Sequence, residues 1–385
     1  MYISFSRIVI VVLLASLYAC LEGYLFLRAL GRDVTKNRGW RILPWVYWPL
    51  SLLAAGLYFY FCYSSDGLRS LFSLTSSYWG LFLFIPFFVL ADVLSFAGRF
   101  TGRFVGRFTG LIFRGLRNPL LARTVSLVLA GTTLALGSFS ARYAKVTDYS
   151  VTVEKPLPQN SLKVVLISDI HIGAMVHKKQ LARIVSRINA LEGDMILIAG
   201  DIIDRNLTVY KDENLNEELR TLNAPMGVYA VMGNHDYFGG NSDELRKHLA
   251  AAGVRLLVDE TVLADGVYVI GRNDFSAGRR GVIRKSLREL TENLDPSLPL
   301  IVIDHQPMSL GEAEEAGADL QVSGHTHRGQ IWPGPIFTRR IYEHDYGLYY
   351  RGKTAFVVTS GCGTWGPPIR IGTRAEIVCI ELKNP

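Results

Sequence analysis

Five short blocks in the C-terminal part of this 385-residue chain concentrate side chains that can bind metal ions. Each block combines carboxylate, amide or imidazole groups. The blocks are Asp169-Ile170-His171, Gly200-Asp201-Ile202-Ile203-Asp204, Gly233-Asn234-His235-Asp236, the single His305, and Gly324-His325-Thr326-His327. Five of the eight His residues fall in these blocks. The pattern therefore predicts one shared site.

This mixture of oxygen and nitrogen ligands suits divalent ions such as Mn, Fe, Zn, Co or Ni. No block contains Cys, which argues against a structural zinc site. The ligands exceed the needs of one ion. Two ions bridged by a carboxylate, roughly 3.5 to 4 Å apart, would polarise a phosphoryl oxygen and hold a hydroxide for in-line attack. The blocks therefore predict a binuclear metal centre suited to attack on a phosphoryl group.

The elements that must position these blocks are short and rich in β-forming residues. The predicted strands are Lys163 to Ser168, Met195 to Ala199, Gly227 to Met232, Pro299 to Ile303, Leu320 to Ser323, Thr354 to Thr359 and Glu376 to Leu382. Helical patterns occur at Lys178 to Leu191 and Ser242 to Ala252. This alternation predicts βαβ crossovers, which gather functional groups in the loops beyond the carboxyl ends of the strands.

In order and spacing, the five blocks resemble those of the calcineurin-like metallophosphoesterase superfamily over about residues 160–385. The resemblance implies an α/β sandwich, with two mixed sheets flanked by helices, for a catalytic domain at 146–385. It also implies a ligand set for each metal ion. One ion would be held by Asp169, His171, Asp201 and His327, and the other by Asp201, Asn234, His305 and His325.

The same resemblance implies roles for residues that do not bind metal. His235 corresponds to the family's non-ligand His, which stabilises the phosphoryl transition state or protonates the leaving group. Asp204 and Asp236 are expected to orient the ligands.

The stretch from Thr359 to Glu376 resembles membrane-attached bacterial members of this superfamily, with one departure nearby. Such members often carry Gly where this chain has Arg328, directly after the last ligand. The guanidinium group of Arg328 could bind a phosphate bidentately or be a solvated surface charge, and the sequence leaves both interpretations open.

The N-terminal part of the chain has a different composition. Residues 1–145 contain 15 Lys/Arg and four Asp/Glu, against 26 and 30 in residues 146–385. Four apolar runs, at 8–27, 42–63, 77–97 and 124–140, approach the length of about 20 residues that a membrane-spanning helix needs. We expect 1–145 to form a bundle of four transmembrane helices. Basic charge among apolar runs also argues against a nucleic-acid partner.

Basic residues concentrate in two of the predicted loops, with five between the first two runs and six between the last two. Because Lys and Arg are retained in the cytoplasm, both loops are expected there, and the catalytic domain is expected on the extracytoplasmic side of the plasma or inner membrane. Its phosphoester substrate would then be a lipid or another cell-envelope molecule. No partner protein is predicted.

Three local features allow two interpretations. Leu17-Tyr18-Ala19-Cys20 loosely resembles a lipoprotein cleavage site, although the charge pattern favours an ordinary helix. The Arg-Phe repeat from Arg99 to Gly110 fits an interfacial helix or a plain basic loop. Cys362 and Cys379 could form a disulfide in an oxidising compartment, but free, buried thiols are the commoner arrangement.

The expected function is therefore membrane-anchored hydrolysis of phosphate mono- or diesters. The alternative is a multi-pass transport or signalling protein with a regulatory phosphoesterase-like domain. The apolar runs, however, lack the interrupted helix pairs and the charged pathway of transporters. An inactive relative is disfavoured, because no ligand position is lost.

Overall fold

The computed structural model describes residues 119–173, 176–205, 207–238 and 242–385. Three predicted membrane spans, at 8–27, 42–63 and 77–97, lie outside these residues, as does the Arg-Phe repeat. The fourth, 124–140, falls within helix α1 (Pro119–Arg142). None of the helices in the described part of the chain is both long and apolar enough to span a membrane. The four-helix membrane bundle therefore stays a prediction.

Residues Leu136–Pro385 form one compact unit with two mixed sheets of six strands each. The strands are β1 (Lys145–Thr152), β2 (Ser161–Ile167), β3 (Met195–Ala199), β4 (Val228–Val231), β5 (Val254–Leu256), β6 (Glu260–Ala264), β7 (Val267–Gly271), β8 (Leu300–Ile303), β9 (Leu320–Ser323), β10 (Gly347–Arg351), β11 (Thr354–Val358) and β12 (Glu376–Lys383).

The two sheets share the same plan, a parallel centre with an antiparallel pairing nearer the edge. The first has the order β1-β12-β2-β3-β4-β5, in which β2 to β5 are parallel and β12 is antiparallel to β2. The second has the order β10-β11-β9-β8-β7-β6, in which β7, β8, β9 and β11 are parallel. At its two edges, β6 pairs antiparallel with β7, and β10 pairs antiparallel with β11.

Short helices connect the strands. They are α2 (Lys178–Asn189), α3 (Thr208–Asp212), α4 (Asn216–Arg220), α5 (Asn234–Phe238), α6 (Ser242–Ala251), α7 (Leu287–Thr291), α8 (Leu310–Glu315) and α9 (Gly334–Ile341).

The hydrophobic core has three layers, because successive side chains of a strand point to opposite faces of its sheet. Val164 and Leu166 of β2 pack between the two sheets. Val165 and Ile167 point the other way and pack with Leu181 of α2. A third cluster lies on the outer face of the second sheet, against α7 and α8. Both faces of the central strands are thus covered, which explains why strands such as β3 and β8 are continuous apolar runs.

These elements confirm most of the sequence-based assignment. All seven predicted strands and both predicted helices are present, with ends that differ by at most two residues. Strands β1, β5, β6, β7 and β10 were not predicted. The edge strands among them, such as β1 and β10, keep many side chains half-exposed, so they lack the apolar run that identifies a central strand.

Candidate metal centre

The predicted ligands, and Asp204 beside them, lie in loops at the carboxyl ends of strands. Asp169 and His171 follow β2, Asp201 and Asp204 follow β3, and Asn234 begins α5 after β4. His305 follows β8, and His325 and His327 follow β9. Because parallel strands end at the same edge of a sheet, five loops from two sheets bring these side chains together.

The backbone of these loops is unusual at the ligands themselves. Five of them adopt left-handed φ angles, which residues other than Gly rarely do: Asp169 (53°), His171 (51°), Asp201 (51°), His325 (67°) and His327 (47°). Such strained positions persist only where surrounding contacts hold them, and they cluster at functional sites. Here the β2 and β3 loops hold each other, since the backbone N–H groups of Asp169 and His171 donate to the carbonyl oxygens of Gly200 and Asp201, each at 3.0 Å.

The first cluster of ligand atoms contains Asp169, His171 and His327. The Nε2 atoms of the two His residues lie 3.1 Å apart. His327 Nε2 is 3.5 Å from Asp169 Oδ1, and His171 Nε2 is 3.8 Å from Asp201 Oδ2. Asp201 therefore borders this cluster.

The second cluster contains Asp201, His305 and His325. His305 Nε2 lies 3.3 Å from Asp201 Oδ2 and 3.2 Å from Asn234 Oδ1. Its other ring nitrogen, Nδ1, donates to the carbonyl oxygen of Ala199 at 2.7 Å. Nε2 is thereby left unprotonated in the neutral ring, which is the form that binds a metal ion. Asp201 lies between the two clusters, where the bridging ligand was expected.

The electrostatics of the site favour cations. Burial lowers the pKa of His171 and of His325 to about 4 and that of His327 well below its usual value, so these rings are neutral at physiological pH. Burial also lowers the pKa of His305, but the Asp201 and Asp169 carboxylates outweigh this effect and raise it well above its usual value. The carboxylates thus draw positive charge into the site.

The donor set fits two divalent cations. It offers neutral imidazoles together with carboxylates that are at most 2% exposed. A buried carboxylate without a positive partner costs free energy of folding. His171 Nδ1 is also buried without a hydrogen-bond partner among the described residues. Asp201 and Asn234 supply oxygen and the His residues supply nitrogen, which suits the borderline ions predicted from the sequence.

Asp236 connects two of the ligand loops. Its carboxylate accepts hydrogen bonds from the backbone N–H groups of Ile203 (2.9 Å), Gly233 (2.8 Å) and Ile202 (3.3 Å). It is fully buried, and burial raises its pKa to about 7. Asp236 therefore acts on the backbone that carries Asp201 and Asn234, and it makes no hydrogen bond to a ligand side chain among the described residues.

His235 and Asp204 form a pair beside the first cluster. His235 Nδ1 lies 2.8 Å from the carbonyl oxygen of Asp204 and 3.2 Å from its Oδ1. Burial lowers the pKa of His235, but its bond to Asp204 and the charge of Asp201 raise it overall. Together with His171, these two residues form a third group of side chains close enough to hold a metal ion.

Arg328 is placed by an aromatic ring. Its guanidinium carbon lies 4.1 Å from the centre of the Tyr346 ring, and the Tyr346 hydroxyl donates to Glu376 at 2.9 Å. Stacking of this kind holds the guanidinium plane while leaving its N–H edges available. Among the described residues, no carboxylate pairs with Arg328.

Arg370 has a positioning role that the sequence did not reveal. It is 1% exposed, and its guanidinium donates to the carbonyl oxygens of Ser360 (2.6 Å), Gly363 (2.7 Å) and His327 (3.3 Å). It also lies 3.3 Å from His327 Nδ1. In the sequence, Arg370 stands out as a basic residue in the apolar stretch Pro-Pro-Ile-Arg-Ile, within the segment that resembles membrane-attached members, and neither feature indicates its partner.

The remaining His and Cys residues lie apart from the centre. His177 pairs with Glu213 at 2.6 Å, His248 lies near Asn216, and His344 bonds to the carbonyl oxygen of Gly347. Cys362 and Cys379 are both buried and free, so no disulfide joins them.

Known proteins similar to this chain are metallophosphoesterases. A family model described as calcineurin-like phosphoesterase matches residues 162–329. A metallophosphoesterase of Campylobacter jejuni is 32% identical over 264 residues, covering 68% of this chain and 69% of the relative. A transmembrane protein with metallophosphoesterase domain from Danio rerio is 29% identical over 367 residues, covering 90% of this chain and 81% of the relative.

Among solved structures, a 5'-nucleotidase precursor from Thermus thermophilus aligns with 58% of this chain at 15% identity and a TM-score of 0.36. The chain spans about half of that protein (54%).

Gly324→Ala should disrupt the centre. A methyl group there would overlap Ser168 Oγ and lie 2.5 Å from Asp169 Oδ2, so the Asp169 carboxylate must move. We expect metal affinity to fall by about 10-fold to 100-fold, measured by metal analysis after dialysis against defined free metal. Gly278→Ala is the control, because its added methyl group meets no atom within 4 Å. Equal metal content in both variants would contradict the assignment of Asp169 as a ligand.

Proposed function

The chain belongs to the calcineurin-like phosphoesterase family of metal-dependent phosphoric ester hydrolases, and we propose that it hydrolyses phosphate mono- or diesters at the two clusters that share Asp201. The observation that carries this proposal is the convergence of seven ligand candidates from five loops: Asp169, His171, Asp201, Asn234, His305, His325 and His327. We propose the ligand sets that the resemblance implies, with Asp201 as the bridge.

Bound divalent ions would supply Lewis acidity toward the phosphoryl group and lower the pKa of water at the site. The chain's own task is to hold its ligands neutral or ionised, as required. Burial does this for His171, His325 and His327, whose pKa values are lowered. For His305, the Ala199 carbonyl oxygen selects the tautomer, because it accepts from Nδ1 and leaves Nε2 of the neutral ring for the metal ion.

We propose that His235 acts on the substrate and does not bind a metal ion. A carbonyl oxygen only accepts hydrogen bonds, so the contact with the Asp204 carbonyl oxygen places a proton on His235 Nδ1. Nε2 is then the atom that can meet the phosphoryl oxygen or the leaving group. The raised pKa of His235 favours the doubly protonated ring, which can donate from Nε2.

Arg328 is proposed to bind the phosphate of the substrate. It follows His327 directly in the chain, and its stacking on Tyr346 holds the guanidinium group in place. A held guanidinium binds phosphate with two parallel hydrogen bonds at a lower entropic cost than a free side chain.

We further propose that the chain is attached to the plasma or inner membrane and acts on lipid or other cell-envelope phosphoesters. The support is the set of apolar runs before residue 119 and their basic loops, together with similarity to a protein described as a transmembrane metallophosphoesterase.

His235→Ala should retain both metal ions while turnover of a generic phosphodiester falls by about two to four powers of ten, because the lost group acts only on charge or protons that develop in the transition state. Metal analysis and steady-state kinetics on the metal-loaded chain measure the two effects separately. Asp169→Ala is the comparison and should lose metal. Loss of metal in His235→Ala as well would instead make His235 a ligand.

Arg328→Ala should raise the KM for phosphoesters by about 10-fold to 100-fold, the equivalent of a charge-assisted hydrogen bond to phosphate. The matched control is Arg255→Ala, an exposed Arg on β5. If both variants keep the parent KM, Arg328 is a solvated charge and the substrate contact is wrong.

Single Cys residues placed at Asp212 and at Arg38 test the proposed topology. Asp212 is exposed at the end of α3, and Arg38 lies in the first basic loop of the sequence. The positive-inside pattern predicts that an impermeant thiol reagent labels the Asp212 site in intact cells and spares the Arg38 site. Labelling of the Arg38 site alone would invert the topology and direct the substrate search toward cytosolic phosphoesters.

A further inference from the structure

Large apolar side chains are exposed on the segments that surround the metal centre. Phe238, Met308, Trp332 and Trp365 are 46% to 65% exposed. The ring of Phe238 lies 4.8 Å from that of His235. Single exposed apolar residues are ordinary on a protein surface, but a group of them around one site indicates an interaction surface.

Helix α9 adds further exposed apolar side chains, because none of its eight residues is buried. Ile336, Phe337 and Ile341 are 45%, 58% and 71% exposed. Residues four apart lie on the same side of a helix, so Phe337 and Ile341 share one side with Ile336 beside them. We call Trp332, Ile336, Phe337, Ile341 and Trp365 the α9 face.

Hydrogen bonds connect the segments that carry the α9 face to residues near the metal centre. The Thr338 hydroxyl donates to Asp345 at 2.6 Å, and the Trp332 N–H donates to the carbonyl oxygen of Ile371 at 2.8 Å. The Trp365 N–H donates to the side chain of Gln330 at 2.9 Å. Gln330 follows His327 by three residues, so the α9 face is held beside a metal ligand.

Two cations accompany these apolar side chains. Arg339 and Arg340 lie exposed in the last turn of α9. Within the described ranges, neither has a carboxylate at salt-bridge distance. Segments that lie in the surface of an anionic bilayer have this composition, with exposed Trp, Phe and Ile next to Arg residues that have no carboxylate partner. A second copy of the chain suits this face less well, because a two-fold contact would bring like charges together.

The entry of the chain into the compact unit lies at the same edge. The Gly137 carbonyl oxygen accepts from the Arg370 N–H at 3.0 Å, and the next residue, Ile371, bonds to Trp332. Leu136 and Phe139, at this end of α1, are themselves 62% and 51% exposed. The apolar runs of the sequence precede this point along the chain.

We propose that the α9 face lies in the surface of an anionic lipid bilayer and holds the mouth of the metal centre against phosphoesters embedded in that bilayer. Docking itself requires no catalysis and so goes beyond the proposed function. Its consequence for substrate choice rests on that function.

The first test places an environment-sensitive fluorophore at Phe337→Cys in the full chain with its four native Cys replaced by Ala, reconstituted into vesicles of phosphatidylcholine with and without phosphatidylglycerol. Leu263→Cys is the matched control, since Leu263 is 57% exposed on the edge strand β6. We expect a lipid-borne quencher to reach the label at 337 and not at 263, more strongly with phosphatidylglycerol and less at high salt.

Equal quenching of the two labels by the lipid-borne quencher would overturn the proposal. A second result would also overturn it. If the 337 label in detergent becomes protected from aqueous iodide only as the protein concentration rises, the α9 face would be assigned to a second copy.

The second test keeps the native Cys residues and compares two substrates. The double variant Phe337→Ser, Ile341→Ser should lose about tenfold or more in turnover of phospholipid in anionic vesicles, because two apolar anchors are removed, while its turnover of a soluble phosphodiester stays at the parent level. If the double variant keeps the parent's ratio of phospholipid turnover to soluble phosphodiester turnover, docking is overturned. The proposed hydrolase would stand. Absence of soluble turnover in the parent itself would contradict the proposed function instead, and the quenching test would still decide docking.

Discussion

The buried carboxylate of Asp201 is the group on which the rest of the site depends. It is 2% exposed and lies between two clusters of nitrogen and oxygen ligands. Burial disfavours its ionised form, but His305 outweighs that effect, and the pKa of Asp201 is strongly lowered. Its Oδ1 also accepts the backbone N–H of His235 at 2.8 Å. One charge thus connects both clusters with the residue proposed to act on the substrate, and its removal would affect all three.

A buried negative charge of this kind needs a rigid surround, which the fold provides from both sheets. Asp236 holds the β3 and β4 loops through backbone N–H groups, and Arg370 holds the chain around His327 through backbone carbonyl oxygens. Glu376 joins this frame from β12 by accepting the Ser360 N–H at 2.8 Å. The left-handed backbone at Asp201 and His327 lies directly beside these contacts, and strained conformations persist only where surrounding contacts hold them.

The candidate ligands and a group of exposed apolar side chains lie on neighbouring segments of the compact unit. The core clusters bury apolar side chains on both faces of each sheet, yet around the metal centre such side chains stay exposed, together with unpaired Arg on α9. Exposed Trp and Ile contribute nothing to the core. Their position beside the candidate ligands is the observation on which the proposed docking of the α9 face rests.

The sequence by itself determined the central strands and the ligand blocks. A strand covered on both faces is a short apolar run, and a loop that binds metal through its side chains carries residues such as Asp, Asn or His, so both leave local patterns that can be recognised along the chain. The roles of Arg370 and of the α9 face leave no such pattern. Arg370 meets His327 across 43 positions of sequence, and the run Gly-Pro-Ile-Phe-Thr-Arg-Arg-Ile reads equally well as a buried or an exposed helix. Only the tertiary structure decides such cases, because they depend on which distant segments come to lie against a residue and which surfaces are left uncovered.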